Sequence, residues 1–117
     1  MDKQYPAHFD QLTGLMAASG KEIPGAMSGF GQLHNESMTD GALSAKINEP
    51  IALAIAVTVR CDGCIAYHVH DALKSGATRP EISEAIGVAI LMGGGLSAIY
   101  GSEALMVLEQ FETVGTL

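Results

Sequence analysis

The stretch Glu49–His70, EPIALAIAVTVRCDGCIAYHVH, contains both cysteines of the chain and two of its four histidines. Its segment Ile51–Val59 is apolar almost all round and rich in alanine, a pattern that favours a helix buried on most of its sides. After a turn at Arg60, a further helix is expected from about Cys61 to Lys74, ending at Gly76, a suitable C-terminal cap. The stretch therefore predicts a central antiparallel helix hairpin.

Pro50 leaves two possibilities for the start of this hairpin. An interior proline removes a backbone hydrogen bond and clashes with the preceding turn. The first helix therefore either begins near Glu49–Pro50, with the proline tolerated in its first turn, or is kinked there.

The remainder of the chain also has the patterns of helices. Thr78-Arg79-Pro80-Glu81 is a capping box that starts one helix, and Gly93-Gly94-Gly95 ends it. No segment alternates with the period of two that is typical of strands. We predict an all-α fold of about five or six helices, with residues 1–117 forming one domain. Outside the hairpin, the expected helices are about His8 to Ala18, Pro24 to Leu33, Pro80 to Leu91 and Leu96 to Phe111.

Composition excludes several classes of function. The formal net charge of −7 would repel a phosphate backbone, so nucleic acid is excluded as the main partner. No apolar run reaches the roughly 20 residues needed to cross a bilayer, and the polar, acidic start MDKQYPAHFD is unlike a signal peptide. We therefore expect a cytoplasmic protein. The glycine triplet lacks the preceding strand and the Lys-Ser/Thr of a phosphate-binding loop, and no bound cofactor is expected.

The cysteines have the C-x-x-C spacing that, in the cytoplasm, indicates a redox or metal-binding pair. On a helix, Cys61, Cys64 and His68 share one face, whereas His70 points to the opposite side. His70 is therefore interpreted as a surface or subunit-contact histidine. The helix N-terminus would lower the pKa of a thiol there, and His68 could accept a proton from Cys64.

Glu49 is the candidate for a fourth member of this group. An antiparallel hairpin that turns at Arg60 would bring Glu49 beside His68 or Asp71. Because a carboxylate is costly to bury without a partner, Glu49 is expected either at an exposed helix start or paired with that histidine.

Three segments together resemble the carboxymuconolactone decarboxylase superfamily, and specifically its AhpD-like alkylhydroperoxidase branch. They are Lys46–Ala54 (KINEPIALA), the Cys61-x-x-Cys64-x-x-x-His68 motif and Gly76-Ala77-Thr78, within a likeness that covers roughly Phe30 to Phe111. AhpD itself has a histidine between the two cysteines, where this chain has Gly63.

The resemblance implies an all-α fold, assembly into homotrimers or homohexamers, and thiol-dependent reduction of an alkyl hydroperoxide. Cys64 would attack the peroxide, Cys61 would be the resolving thiol, and His68 and Glu49 would form the proton relay. A dithiol of the lipoyl or thioredoxin kind would supply electrons. The helix dipole instead favours Cys61 as the thiol of lower pKa; we assign the roles by the resemblance.

Three alternatives stay open at this point. The superfamily name points to a lyase that decarboxylates a lactone acid. A zinc or iron site could use Cys61, Cys64, His68 and Glu49. The chain could also be a non-catalytic helical oligomer, since its 48% hydrophobic and 16% charged residues indicate apolar surface against another subunit.

Overall fold

A computed structural model of the protein describes residues 3–115, and within that range it contains helices and no strand. The all-α prediction is confirmed. The helices are α1 (Tyr5–Glu22), α2 (Pro24–Met38), α3 (Ala45–Val59), α4 (Asp62–Lys74), α5 (Arg79–Gly93) and α6 (Gly95–Val114).

The central antiparallel hairpin is formed by α3 and α4. Arg60 ends α3 in the left-handed region, with φ of 62°, and the backbone N–H of Cys61 donates to the carbonyl of Ala56 at 3.0 Å. This tight turn leaves Cys61 as the N-cap of α4. Leu53 and Val57 of α3 are fully buried in the core of the domain. The hairpin is therefore both central and fixed at its turn.

Pro50 lies inside α3, so of the two possibilities left by the sequence, a start near Glu49–Pro50 is excluded. The start lies earlier because the carboxylate of Asp40 accepts a hydrogen bond from the backbone N–H of Ala45 at 2.7 Å. This side-chain cap satisfies one of the free donors of the first turn. The proline removes only the N–H that would have bonded to the carbonyl of Lys46, and the rest of the helix continues around it.

The first two helices are longer than their glycines predict. A glycine in a helix costs about 1 kcal/mol relative to alanine but does not forbid the helix. Both helices therefore run through several glycines, and Pro24 starts α2 in its first turn. Only Tyr5 of α1 is buried, and no residue of α2 is. The two helices thus cover the domain, and only Tyr5 of α1 belongs to its buried core.

The glycine triplet connects α5 and α6, and it is both a turn and a close contact. Gly94 has φ of 72°, and a Cβ atom on Gly93 would lie 1.8 Å from the Oγ atom of Ser97. The capping box predicted at the start of α5 is present, with Thr78 and Glu81 bonded to each other's backbone.

An apolar stripe remains exposed on α3. It consists of Ile47, Ile51, Ile55 and Val59, which are between 45% and 61% exposed. Their spacing of four residues places them on one face of the helix. A groove of about 430 Å³ runs along this stripe and is closed on the other side by residues of α5 that include Val88. Among residues 3–115, no helix combines the length and the apolar character needed to span a membrane.

Candidate active site

Cys61 and Cys64 form a disulfide at the start of α4, with their Cα atoms 5.1 Å apart. The backbone N–H of Cys64 also donates to the Sγ atom of Cys61 at 3.2 Å, so this sulfur occupies the position of an N-cap acceptor. A helix N-terminus stabilises negative charge. On reduction of the disulfide, the thiolate of Cys61 would therefore be stabilised by this position.

Glu49 is paired with His68, which settles the two possibilities left by the sequence. The Oε1 atom of Glu49 lies 2.8 Å from Nδ1 of His68, and Glu49 is only 4% exposed. A carboxylate that is so deeply buried needs a hydrogen-bonding partner. This partner lies on the other helix of the hairpin, as the antiparallel arrangement of the two helices predicts.

The disulfide and His68 line a cavity of about 490 Å³ between α4 and the first two helices. Such a volume is typical of small-molecule sites. Most of the surface is apolar and comes from side chains that cover the cavity from α1 and α2. The lining residues are Leu12, Met16, Phe30, Gly31, His34, Asn35, Cys61, Gly63, Cys64, Tyr67, His68 and Asp71.

The structure thus brings together all four residues that the sequence selected: Cys61, Cys64 and His68 line the cavity, and Glu49 supports His68 from behind. Their catalytic roles stay a prediction. Sequence reasoning did not select His34, whose ring plane is inclined by 30° to that of His68 with the centroids 6.5 Å apart. His34 belongs to no motif, and only the packing of α2 over α4 reveals it.

His70 lies outside this group, as predicted, and its side chain is only 14% exposed, so it does not lie on the open surface. Its interpretation as a subunit-contact residue stays a prediction. Its ring stacks on Phe9 of α1 at 4.2 Å between centroids and contacts Phe111 of α6 at 5.5 Å. Its Nδ1 atom lies 2.8 Å from Oδ1 of Asp71. His70 is held inside the domain because α1 packs over that face of α4.

A polar network fixes the first turn of α4 from the other side. The hydroxyl of Tyr5 donates to Oδ1 of Asp62 at 2.8 Å, and Lys3 is paired with the other oxygen. Burial, followed by the hydrogen bond to Asp62, raises the pKa of Tyr5 above its usual range. Burial opposes ionisation of Asp62, but the bonds from Lys3 and Tyr5 outweigh it and lower the pKa of Asp62.

Gly63 is the position where AhpD has histidine. A Cβ atom on Gly63 would lie 2.9 Å from the Cδ1 atom of Leu12. A larger side chain would therefore require the side chain of Leu12 to move. In this chain, the apolar side chain of Leu12 occupies the space beside the disulfide.

One group of side chains could also hold a metal ion. Within residues 3–115, His34, Glu49 and Asp71 each place one donor atom within 4.8 Å of the others. Cysteine binds a metal as a thiolate, and in the disulfide form no thiolate is present. This group contains no cysteine and therefore differs from the zinc or iron site considered from the sequence.

Known proteins share this architecture. The model of the carboxymuconolactone decarboxylase family matches residues 24–105. A crystal structure of a member of that family from Legionella pneumophila has a TM-score of 0.89 and 41% identity, covering 92% of this chain and 96% of that chain. A family member from Thermotoga maritima, described with a suggested role in the antioxidative response, has a TM-score of 0.72 and 29% identity over 77% of this chain and 93% of that chain. An uncharacterised protein of Cupriavidus necator is 42% identical over 90% of this chain and 93% of its own length.

Proposed function

This chain belongs to the carboxymuconolactone decarboxylase family, and we propose that it acts there as a thiol-dependent reductase of organic hydroperoxides, of the AhpD-like kind. The observation that carries the proposal is the Cys61–Cys64 disulfide, which lines an apolar cavity beside the buried His68–Glu49 pair. A reversible dithiol, a base and an apolar substrate cavity are the parts that this reaction needs.

In the first step, the thiolate of Cys64 attacks the outer oxygen of the hydroperoxide ROOH. The O–O bond breaks, Cys64 becomes a sulfenic acid, and the alcohol ROH leaves. His68 accepts the thiol proton of Cys64 and returns it to the departing alkoxide. Glu49, 2.8 Å from Nδ1 of His68, orients the ring by accepting a hydrogen bond from it.

In the second step, the thiol of Cys61 attacks the sulfenic sulfur of Cys64, and water leaves as the disulfide closes. A dithiol donor of the lipoyl or thioredoxin kind then attacks the Cys64 sulfur and is itself oxidised to a disulfide, which restores both thiols. Cys61 leaves as a thiolate in this exchange. Its N-cap position supports the role, because a thiol of lower pKa leaves faster.

The lining of the cavity supports an organic hydroperoxide as the substrate. Apolar residues such as Leu12, Met16 and Phe30 would contact an alkyl or aryl group. None of the lining residues is lysine or arginine, so the cavity offers no permanently charged side chain to the carboxylate of a lactone acid. This composition favours peroxide reduction over decarboxylation.

The exposed stripe on α3 supports self-association. We propose that Ile47, Ile51, Ile55 and Val59 pack against other copies of the chain in a homotrimer or homohexamer, as the family resemblance implies. A contiguous apolar face of this kind is typical of a subunit interface. We further propose that the assembly works in the cytoplasm, where dithiol donors keep thiols reduced.

A thiol count tests the proposed function. The reduced protein is treated with one equivalent of cumene hydroperoxide, and free thiols and cumyl alcohol are measured together. Loss of both thiols with release of one alcohol per chain supports the proposal. Equal release of alcohol by the Cys61→Ser/Cys64→Ser double variant would refute it, and turnover of a carboxymuconolactone by that variant would favour the lyase.

A further inference from the structure

Three helices each contribute one potential metal ligand to one cluster, of which His34 and Asp71 line the cavity. His34 comes from α2, Glu49 from α3 and Asp71 from α4, and one donor atom of each lies within 4.8 Å of the others. Zinc binds such donors at about 2.0–2.2 Å, so shifts of roughly 1 Å or less would bring all of them to one ion. Rotation of the side chains alone supplies movements of this size.

The two carboxylates are held in place from behind. One oxygen of Glu49 lies 2.8 Å from Nδ1 of His68, and one oxygen of Asp71 lies 2.8 Å from Nδ1 of His70. Each carboxylate keeps a second oxygen for a ligand. Outer hydrogen bonds that orient the ligands are a regular feature of metal sites in proteins.

We propose that His34, Glu49 and Asp71 bind one divalent transition-metal ion, with Zn²⁺ as the best match. One imidazole and two carboxylates provide the donor types and the negative charge that such an ion requires. Three protein ligands leave a fourth position open toward the cavity. The site needs neither cysteine, and it is complete in the disulfide form of the protein.

The ion would join α2 to the central hairpin. No residue of α2 is buried, so the apolar core contributes little to holding this helix. A bond from His34 to an ion shared with Glu49 and Asp71 would fix α2 over the cavity. Zn²⁺ should therefore slow amide hydrogen exchange in α2 more than in α5 or α6.

The experiment uses the oxidised protein, in which no free thiol competes for the metal. Titration with Zn²⁺ by calorimetry should show one ion per chain. His34→Ala and Asp71→Asn should each weaken binding at least tenfold, whereas His8→Gln, which removes a histidine outside the cavity, should bind like the wild type. Both ligand variants are expected to fold, because His34 lies on a helix without buried residues and asparagine keeps a bond to His70.

Wild-type affinity in His34→Ala, or no binding by the wild type, would overturn the proposal. Loss of binding in His34→Ala without any Zn²⁺ effect on exchange in α2 of the wild type would refute the clamping of that helix. One further expectation rests on the proposed function. Because Glu49 belongs to both the proton relay and the metal site, saturating Zn²⁺ should inhibit peroxide reduction. Calorimetry on the oxidised protein needs no turnover, so it separates failure of the metal site from failure of the peroxidase.

Discussion

The carboxylate of Glu49 lies 2.8 Å from Nδ1 of His68, although the two residues are 19 positions apart in the chain. The contact joins the facing sides of α3 and α4 and leaves Nε2 of His68 as the nitrogen that can serve a sulfur or a substrate. A carboxylate behind a histidine sets the orientation of the ring and the nitrogen that carries its proton. The relay therefore depends on the hairpin itself.

Replacing Glu49 by glutamine tests this dependence. Glu49→Gln keeps the size of the side chain but replaces the carboxylate that orients His68 with a neutral amide. We expect the rate of cumene hydroperoxide reduction to fall by about 10²-fold or more, since general acid–base catalysis typically contributes 10²–10⁴-fold. Stopped-flow measurement of thiol oxidation gives the rate. Glu84→Gln, an exposed change on α5, is the matched control; equal rates in the two variants would remove Glu49 from the relay.

The roles of the cysteines can be separated with single serine variants. In Cys61→Ser, peroxide should leave a stable sulfenic acid on Cys64, since no resolving thiol is present. In Cys64→Ser, sulfenic acid should not form at the same rate. Dimedone labelling followed by peptide mass spectrometry identifies the oxidised residue. A dimedone adduct on Cys61 of Cys64→Ser, formed at the wild-type rate, would reverse the assignment in the direction that the helix dipole favours.

The apolar wall of the cavity should determine substrate preference. Phe30 of α2 lines the cavity, whereas Leu33 of the same helix does not. Phe30→Ala should lower kcat/KM for cumene hydroperoxide about threefold to tenfold, as expected for roughly 1 kcal/mol of lost apolar contact. For hydrogen peroxide, which has no apolar group, kcat/KM should stay unchanged. Leu33→Ala is the control, and the same loss with both peroxides would show that Phe30 acts through the fold.

Tyr5 should make the protein sensitive to alkali. Its pKa is raised in the folded protein above the usual value of 10.0, so its contribution to stability is complete below that pH and is lost as the pH rises above it. Tyr5→Phe should cost about 1–2 kcal/mol near neutral pH, where the hydrogen bond to Asp62 is lost. It should also flatten the fall of stability above pH 10. Urea unfolding at several pH values measures both effects; an equally steep fall in Tyr5→Phe would contradict this origin.

The lowered pKa of Asp62 has the opposite effect on the pH dependence of stability. Its contribution to stability is present above the usual carboxyl pKa of 3.8 and is lost as the pH falls through the lower value in the folded protein. Asp62→Asn should therefore reduce the loss of stability in acid. Unfolding curves below pH 4 compared with those of the wild type test this expectation.

The glycine triplet offers a paired test of packing. A Cβ atom on Gly93 would lie 1.8 Å from Oγ of the buried Ser97, while nothing lies within 4 Å of one on Gly95. Gly93→Ala should destabilise the domain by about 1–3 kcal/mol, the usual cost of overpacking. Gly95→Ala should be neutral or slightly stabilising. Chemical unfolding of the two variants measures the difference, and equal stability would show that Ser97 moves away freely.

The hairpin and its redox motif could be predicted from the sequence because both depend on local patterns. Helical periodicity places Cys61, Cys64 and His68 on one face, and the length of the turn at Arg60 then places Glu49 beside His68. Ser44 could be named from the sequence as a cap and is the N-cap residue of α3, but the bond from Ala45 to Asp40 could not be predicted, because Asp40 lies in a loop without regular structure.

His34 could not be predicted for a different reason. It approaches His68 only because α2 folds back over α4. The residue pattern of this glycine-rich helix does not predict that contact. In the same way, the packing of α1 over α4 places His70 against Phe9. Contacts between distant helices depend on tertiary structure, which a local sequence pattern does not determine.

The apolar stripe on α3 lies on the same helix as Glu49, which has a thermodynamic consequence for the proposed assembly. Any shift of α3 that accompanies subunit association also shifts the carboxylate behind His68, so association and relay geometry are linked equilibria. By mass action, dilution below the dissociation constant of the subunits would lower the activity of each chain. The specific activity would then depend on the protein concentration.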